Sequence, residues 1–157
     1  MKGICRFYIN SLAPEFDMYV TPINIDPEEP ALPISHPFIY SIYLAKLNGP
    51  FGTLGLAEDT WALNEGVIDE DAFLEQAYLL YEEREKMFFT ALDKTPKGVC
   101  ACVFDTTDRV QHMFFRCLEE GHPANRGKEV ERYRSVIEDL YVKIDVLIGK
   151  ALERTDE

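Results

Sequence analysis

Apolar and polar positions along the chain alternate in two distinct rhythms. Residues 3–10 (GICRFYIN) and 17–25 (DMYVTPINI) are rich in aromatic and β-branched residues and flank a Pro-containing turn. That pattern predicts two strands, a hairpin, with Pro22 confining the second strand to an edge or a bulge. The stretch DPEEPALPISHP follows, with Pro27, Pro30, Pro33 and Pro37. Each proline removes a backbone donor and disfavours helix at the residue before it, so an extended connector is expected.

Beyond the connector the rhythm becomes helical. PFIYSIYLAKL (37–47) predicts a short helix with Ser35 as a cap. Phe73, Ala77, Leu80, Met87 and Ala91 recur at helical steps, predicting a long amphipathic helix over 70–93, capped by Asp69 and stopped by Pro96 and Gly98. Its EEREK run reads as a solvated face. VCACVF (99–104) is short, continuously apolar and bounded by turn signals, which predicts a strand buried on both faces, as in a parallel sheet. Val130, Tyr133, Ile137, Leu140, Ile144, Leu147 and Ala151 predict a last helix over 128–152. The fold class expected is α/β, with residues 1–96 as an accessory, lid-like subdomain and 97–157 as part of a catalytic core.

Composition narrows the function. Of 157 residues 46% are hydrophobic and 28% charged, ordinary for a globular chain, and the formal net charge is -12. Such acidity argues against a nucleic-acid-binding surface and means that a phosphate ester would need a bound cation for local positive charge. The N-terminus has no long apolar run, and no segment reaches membrane-spanning length. Cys5, Cys100, Cys102 and Cys117 lack zinc-finger spacing and read as free thiols, an expectation that points to a reducing, cytoplasmic setting.

Two segments invite chemistry. NGPFGTLGLAEDT (48–60) is Gly-rich but lacks the Walker spacing and its Lys, so a nucleotide cradle is not expected there. Trp61, Phe51 and Tyr43 are candidates for lining a pocket, core packing being the plainer job. The second segment is Phe104-Asp105-Thr106-Thr107-Asp108-Arg109-Val110-Gln111-His112. If it turns helical after the strand, Asp108 and His112 share a face and can converge on one cation, with Asp105 orienting a ligand from behind. The plainer reading is a helix-dipole aspartate beside a hydrogen-bonded histidine. His36 in the connector and His122 in a polar loop read as surface residues. Ser11, Ser35, Thr106 and Thr107 read as turn and cap residues rather than nucleophiles.

VFDTTDRVQHMFFR resembles the segment of type I phosphodiesterase/nucleotide pyrophosphatase-like proteins, of the alkaline phosphatase superfamily, in which an Asp and a His bind one of two catalytic metals. YVTPINIDPEEPALPISHP and GPFGTLGLAEDTWAL are similar to an accessory region of large members. The resemblance implies a partial alkaline-phosphatase-like core, a hairpin and helical insert before it, and a phosphate-ester substrate. It implies two divalent ions, zinc or manganese, in the full enzyme, with Asp108 and His112 as ligands of one. Gln111 stands where the family has Gly. The family's nucleophile and its later Asp-His-Gly have no counterpart here. The chain is therefore expected to be a section of a longer polypeptide, needing the remainder of its catalytic domain and inactive alone. The competing expectation is a non-enzymatic acidic α/β interaction domain.

Overall fold

The computed structural model describes residues 2–55 and 57–155. Leu56 of the Gly-rich loop lies outside the described residues, as do Met1 and the last two residues, on which the expectation of a truncated chain bears. The fold is mixed α and β and dominated by helix, 49% against 8% strand. Two compact units divide it, Met1–Met87 and Phe88–Glu157. The boundary falls inside the long helix, upstream of the 96/97 junction expected from sequence.

In the first unit the hairpin forms as two short ladders. β1 (Gly3–Ile4) pairs antiparallel with β4 (Asn24–Ile25), and β2 (Phe7–Ser11) with β3 (Asp17–Val20). Pro22 lies in the gap between β3 and β4, where the missing amide costs no ladder bond. Tyr19 is buried, whereas the cross-strand pairs Phe7–Val20 and Ile9–Met18 lie on the exposed side. The proline-rich connector forms neither helix nor strand; it bends repeatedly, at 27–29, 31–32 and 35–37, rather than running extended as expected, and leads to α1 (Ile39–Asn48). The N-cap position is Phe38 rather than Ser35, although Ser35 Oγ, from three residues earlier, accepts from the first-turn amide of Ser41 at 2.9 Å.

The 48–60 loop is fastened by residues on either side of it in sequence. Asn24 Oδ1 accepts from the Thr53 and Leu54 amides, and Glu83 accepts from the Gly52 amide. A Cβ at Gly52 would meet Leu80 Cδ2 at 2.8 Å, so a larger residue there would have to displace the end of the Leu80 side chain. Phe51 is buried beside Leu44 and Ala45. Trp61 is 74% exposed and Tyr43 37%, so neither takes the core role. A short helix that the periodicity did not predict, α2 (Thr60–Asn64), starts at Asp59, whose Oδ1 caps the Ala62 amide at 2.9 Å. α3 (Glu70–Asp93) has the bounds read from sequence, and Asp69 caps the Ala72 amide at 2.8 Å. Phe73 and Ala77 are fully buried on its predicted stripe.

In the second unit the sequence reading needs correction. Residues 99–104 carry no regular secondary structure and belong to no sheet, and Val99 and Val103 are 90% and 68% exposed. A strand buried on both faces needs neighbours on both edges, and no strand is described within residues 88–155. Local composition was right for a strand and the partners are missing. The two β ladders that do exist are antiparallel and lie in the first unit. The closing helix is shorter than expected. α5 (Val136–Leu152) begins eight residues after position 128, preceded by a single 3-10 turn at Glu131–Tyr133. From that turn Tyr133 packs its ring 5.6 Å from Phe114 on α4 (Thr106–Phe114). Val110, Phe114, Cys117, Leu140 and Leu147 complete the buried seam of α4, its trailing 3-10 turn and α5. Among the described residues no helix is long and apolar enough to cross a membrane.

Candidate metal centre

α4 follows residues 99–105 directly. Thr107 Oγ1 donates to the Phe104 carbonyl at 2.9 Å, and the Arg109 amide donates to the Asp105 carbonyl at 3.1 Å, which turns the chain into the helix. Thr106, Val110 and Phe114, four residues apart, face the interior. The opposite face therefore carries Asp108, Gln111, His112 and Phe115, which line an open cleft of about 360 Å³.

The two expected ligands converge. His112 Nε2 lies 3.2 Å from Asp108 Oδ1, with the side chains 68% and 56% exposed. Two donors bound at about 2.0–2.1 Å to one tetrahedral cation stand about 3.3 Å apart. The observed separation matches one edge of such a site in length. It is equally the length of a direct contact. Asp108 in the first turn and His112 in the last also complement the helix dipole, worth a few tenths of a kcal/mol at exposed positions.

The rest of the site is thin. Among the described residues no group of three or more His, Cys, Asp or Glu side chains could hold a metal ion. Asp105 is the residue before α4 and makes no capping hydrogen bond there. His122 Nδ1 accepts from the Ala124 amide at 3.2 Å and caps a 3-10 turn, and His36 lies exposed in the connector. Gln111 Nε2 donates to the Thr107 carbonyl and to Tyr141 Oη on α5. Arg109 also reaches the site, its Nη1 3.3 Å from Asp108 Oδ2, with Nε buried and lacking a hydrogen-bond partner among the described residues. A cation here would share Asp108 with a fixed positive charge, which lowers its affinity and leaves one carboxylate oxygen for each. Sequence reading passed over Arg109, since only burial distinguishes it from a surface arginine.

The hydroxyls behave as turn and cap groups. Ser11 Oγ donates to the Ala13 carbonyl, and Thr106 is buried. The Gly-rich loop offers no phosphate cradle through Gly52, Thr53 or Leu54, because those amides are already donated to Glu83 and Asn24. No family model matches the chain, no curated protein matches it, and no solved structure matches it.

Proposed function

We propose that the chain is a section of a metal-dependent phosphoester hydrolase and that Asp108 and His112 supply two ligands to one of its cations. The observation that supports this reading is the 3.2 Å approach of the imidazole and carboxylate on a solvent-open face, one tetrahedral edge apart. Two ligands do not make a catalytic site, so the remaining ligands and the nucleophile belong to the rest of the catalytic domain. In this reading residues 99–104 join a sheet of an alkaline-phosphatase-like core. Asp105 then orients the ligand pair from the start of α4. When bound, a pair of divalent ions lowers the pKa of an attacking hydroxyl and neutralises charge on a phosphate-ester substrate. Oxygen and nitrogen ligation suits zinc and also manganese.

Isothermal titration of zinc into the wild-type chain, Asp108→Ala and His112→Ala tests the assignment. The proposal expects a weak binding heat that both substitutions abolish. Equal heats for all three proteins overturn it.

A second reading, a non-enzymatic interaction domain, is favoured by the exposed Phe7–Val20 and Ile9–Met18 pairs and by Val99 and Val103. It predicts no metal dependence at all, so the same titration separates the two.

A further inference from the structure

Between the inner face of the β2–β3 hairpin and the first half of α3 the packing leaves a cavity of about 90 Å³. Tyr8 and Tyr19 stand opposite each other in the ladder and wall it on one side. Ala72, Glu75, Gln76 and Leu79, three or four residues apart on one face of α3, wall it on the other. Tyr19, Ile68 and Ala72 are buried, whereas Glu75 and Leu79 are exposed. The cavity therefore has an apolar floor and a mouth beside a carboxylate.

Most of its polar groups are already committed. Tyr19 Oη donates to Asp59 Oδ2 at 2.6 Å, Gln76 Oε1 accepts from the Asp59 amide at 2.6 Å, and Thr21 Oγ1 accepts from the Arg6 amide at 2.9 Å. The Arg6 guanidinium is paired with Glu83, which neutralises its charge on the spot. Two groups remain. Among the described residues neither the Glu75 carboxylate nor the Tyr8 hydroxyl makes a hydrogen bond or an ion pair. Burial, and after it the charges of Glu75, Asp69 and Asp71, hold the Tyr8 hydroxyl above its ordinary value, so the field at this end of the cavity is negative. An apolar hollow rimmed by a carboxylate and a phenol suits a cation with a hydrocarbon tail.

We propose that this cavity binds a small primary alkylammonium ion, its tail on the apolar floor and its ammonium donating to the Glu75 carboxylate and to Tyr8 Oη. The volume is below the ~150 Å³ of a cavity that holds benzene, so a tail of about four carbons fills it. A lysine side chain carries the same head, but it would have to enter charge first and set its ammonium on the apolar floor. The ligand is therefore a free amine and not a lysine of a protein partner. Anions are disfavoured, because Arg6 is taken and Glu75 repels them. The formal net charge of -12 draws cations toward the chain at long range. Every residue of the site lies in the first unit, so the proposal is independent of Asp108 and His112.

Amide-resolved NMR titration of the wild-type chain with n-butylammonium, n-butanol and butanoate at fixed ionic strength tests the assignment. n-Butylammonium is expected to give saturable shifts at Tyr8, Tyr19, Ile68 and Ala72, with a dissociation constant on the order of millimolar. n-Butanol should bind up to about fivefold more weakly, the worth of one exposed charge contact, and butanoate more weakly still. Glu75→Gln, at an exposed position, should bring n-butylammonium down to the level of n-butanol and leave n-butanol unchanged. Affinity along the series from ethylammonium to hexylammonium should rise to about four carbons and then level off. Nα-acetyl-lysine methylamide should leave the four amides unshifted. Absence of saturable shifts with n-butylammonium, equal affinity for n-butylammonium and n-butanol, or a Glu75→Gln variant that keeps the preference for the cation would overturn the proposal. The lysine probe binding as tightly as n-butylammonium would overturn the tail-inward orientation and with it the free amine.

Discussion

The Arg6 guanidinium meets the Glu83 carboxylate across 77 positions of sequence, joining the hairpin region to the middle of α3. Glu83 also accepts from the Gly52 amide at 2.9 Å, so one carboxylate fastens three separate segments of the first unit. Its side chain is 13% exposed and that of Arg6 32%. Burial holds the Glu83 carboxyl above the usual range, and the Gly52 amide and the Arg6 charge pull against that shift.

Removing Arg6 leaves a nearly buried carboxylate without its cation. Arg6→Met should destabilise the chain by about 3 kcal/mol in a urea unfolding series, the scale expected when one partner of a buried pair is lost. Its Glu83 should also titrate higher still, as a carboxyl-detected NMR titration would show. An unchanged midpoint would mean that the pair is screened like a surface one.

The pH dependence has a definite sign. A carboxyl whose folded pKa is raised binds more protons folded than unfolded. Its contribution to stability therefore falls as pH rises from the ordinary carboxyl value of 4.5 through the raised folded value. Comparison of wild type with Glu83→Gln should isolate that slope, the variant losing it. A slope of the opposite sign at Glu83 would show that Arg6 and the Gly52 amide outweigh burial.

Tyr81 should titrate late. Burial, with Glu85 nearby, pushes its hydroxyl up to about 12, and burial together with a 2.6 Å hydrogen bond to Asp59 pushes Tyr19 up further. Spectrophotometric titration should leave both phenols un-ionised above the ordinary phenol value of about 10. Asp59→Ala removes both the Tyr19 partner and the α2 cap, and should cost about 1–2 kcal/mol.

The support beneath Asp108 and His112 is testable separately. Phe114 is fully buried against Tyr133 and holds α4 on α5. Phe114→Ala should cost about 3–5 kcal/mol, read as a lowered thermal midpoint. Retention of the wild-type midpoint would show that the α4–α5 seam does not hold the site.

What was legible in the chain follows from the range of the forces involved. α3 could be bounded from sequence because a long apolar stripe, Asp69 as cap and Pro96 beyond it all act locally. The Asp108–His112 convergence was likewise legible, since helical spacing alone brings the two together. α2 was missed because five residues are too few to show a period, although its cap Asp59 stood in plain view. Residues 99–104 were misread because a strand is a relation between segments, and no local signal reports whether neighbours exist. The Arg6–Glu83 tie and the burial of Arg109 Nε are products of tertiary packing and left no trace in spacing.

The most direct test of the proposed role is zinc calorimetry on Asp108→Asn beside the wild-type chain, because the amide keeps the size of the carboxylate and removes its charge. Metal ligation predicts a measurable wild-type heat that Asp108→Asn abolishes while its circular dichroism stays unchanged. Identical heats from the two proteins would contradict ligation and leave Asp108 and His112 as a pair that serves only the helix.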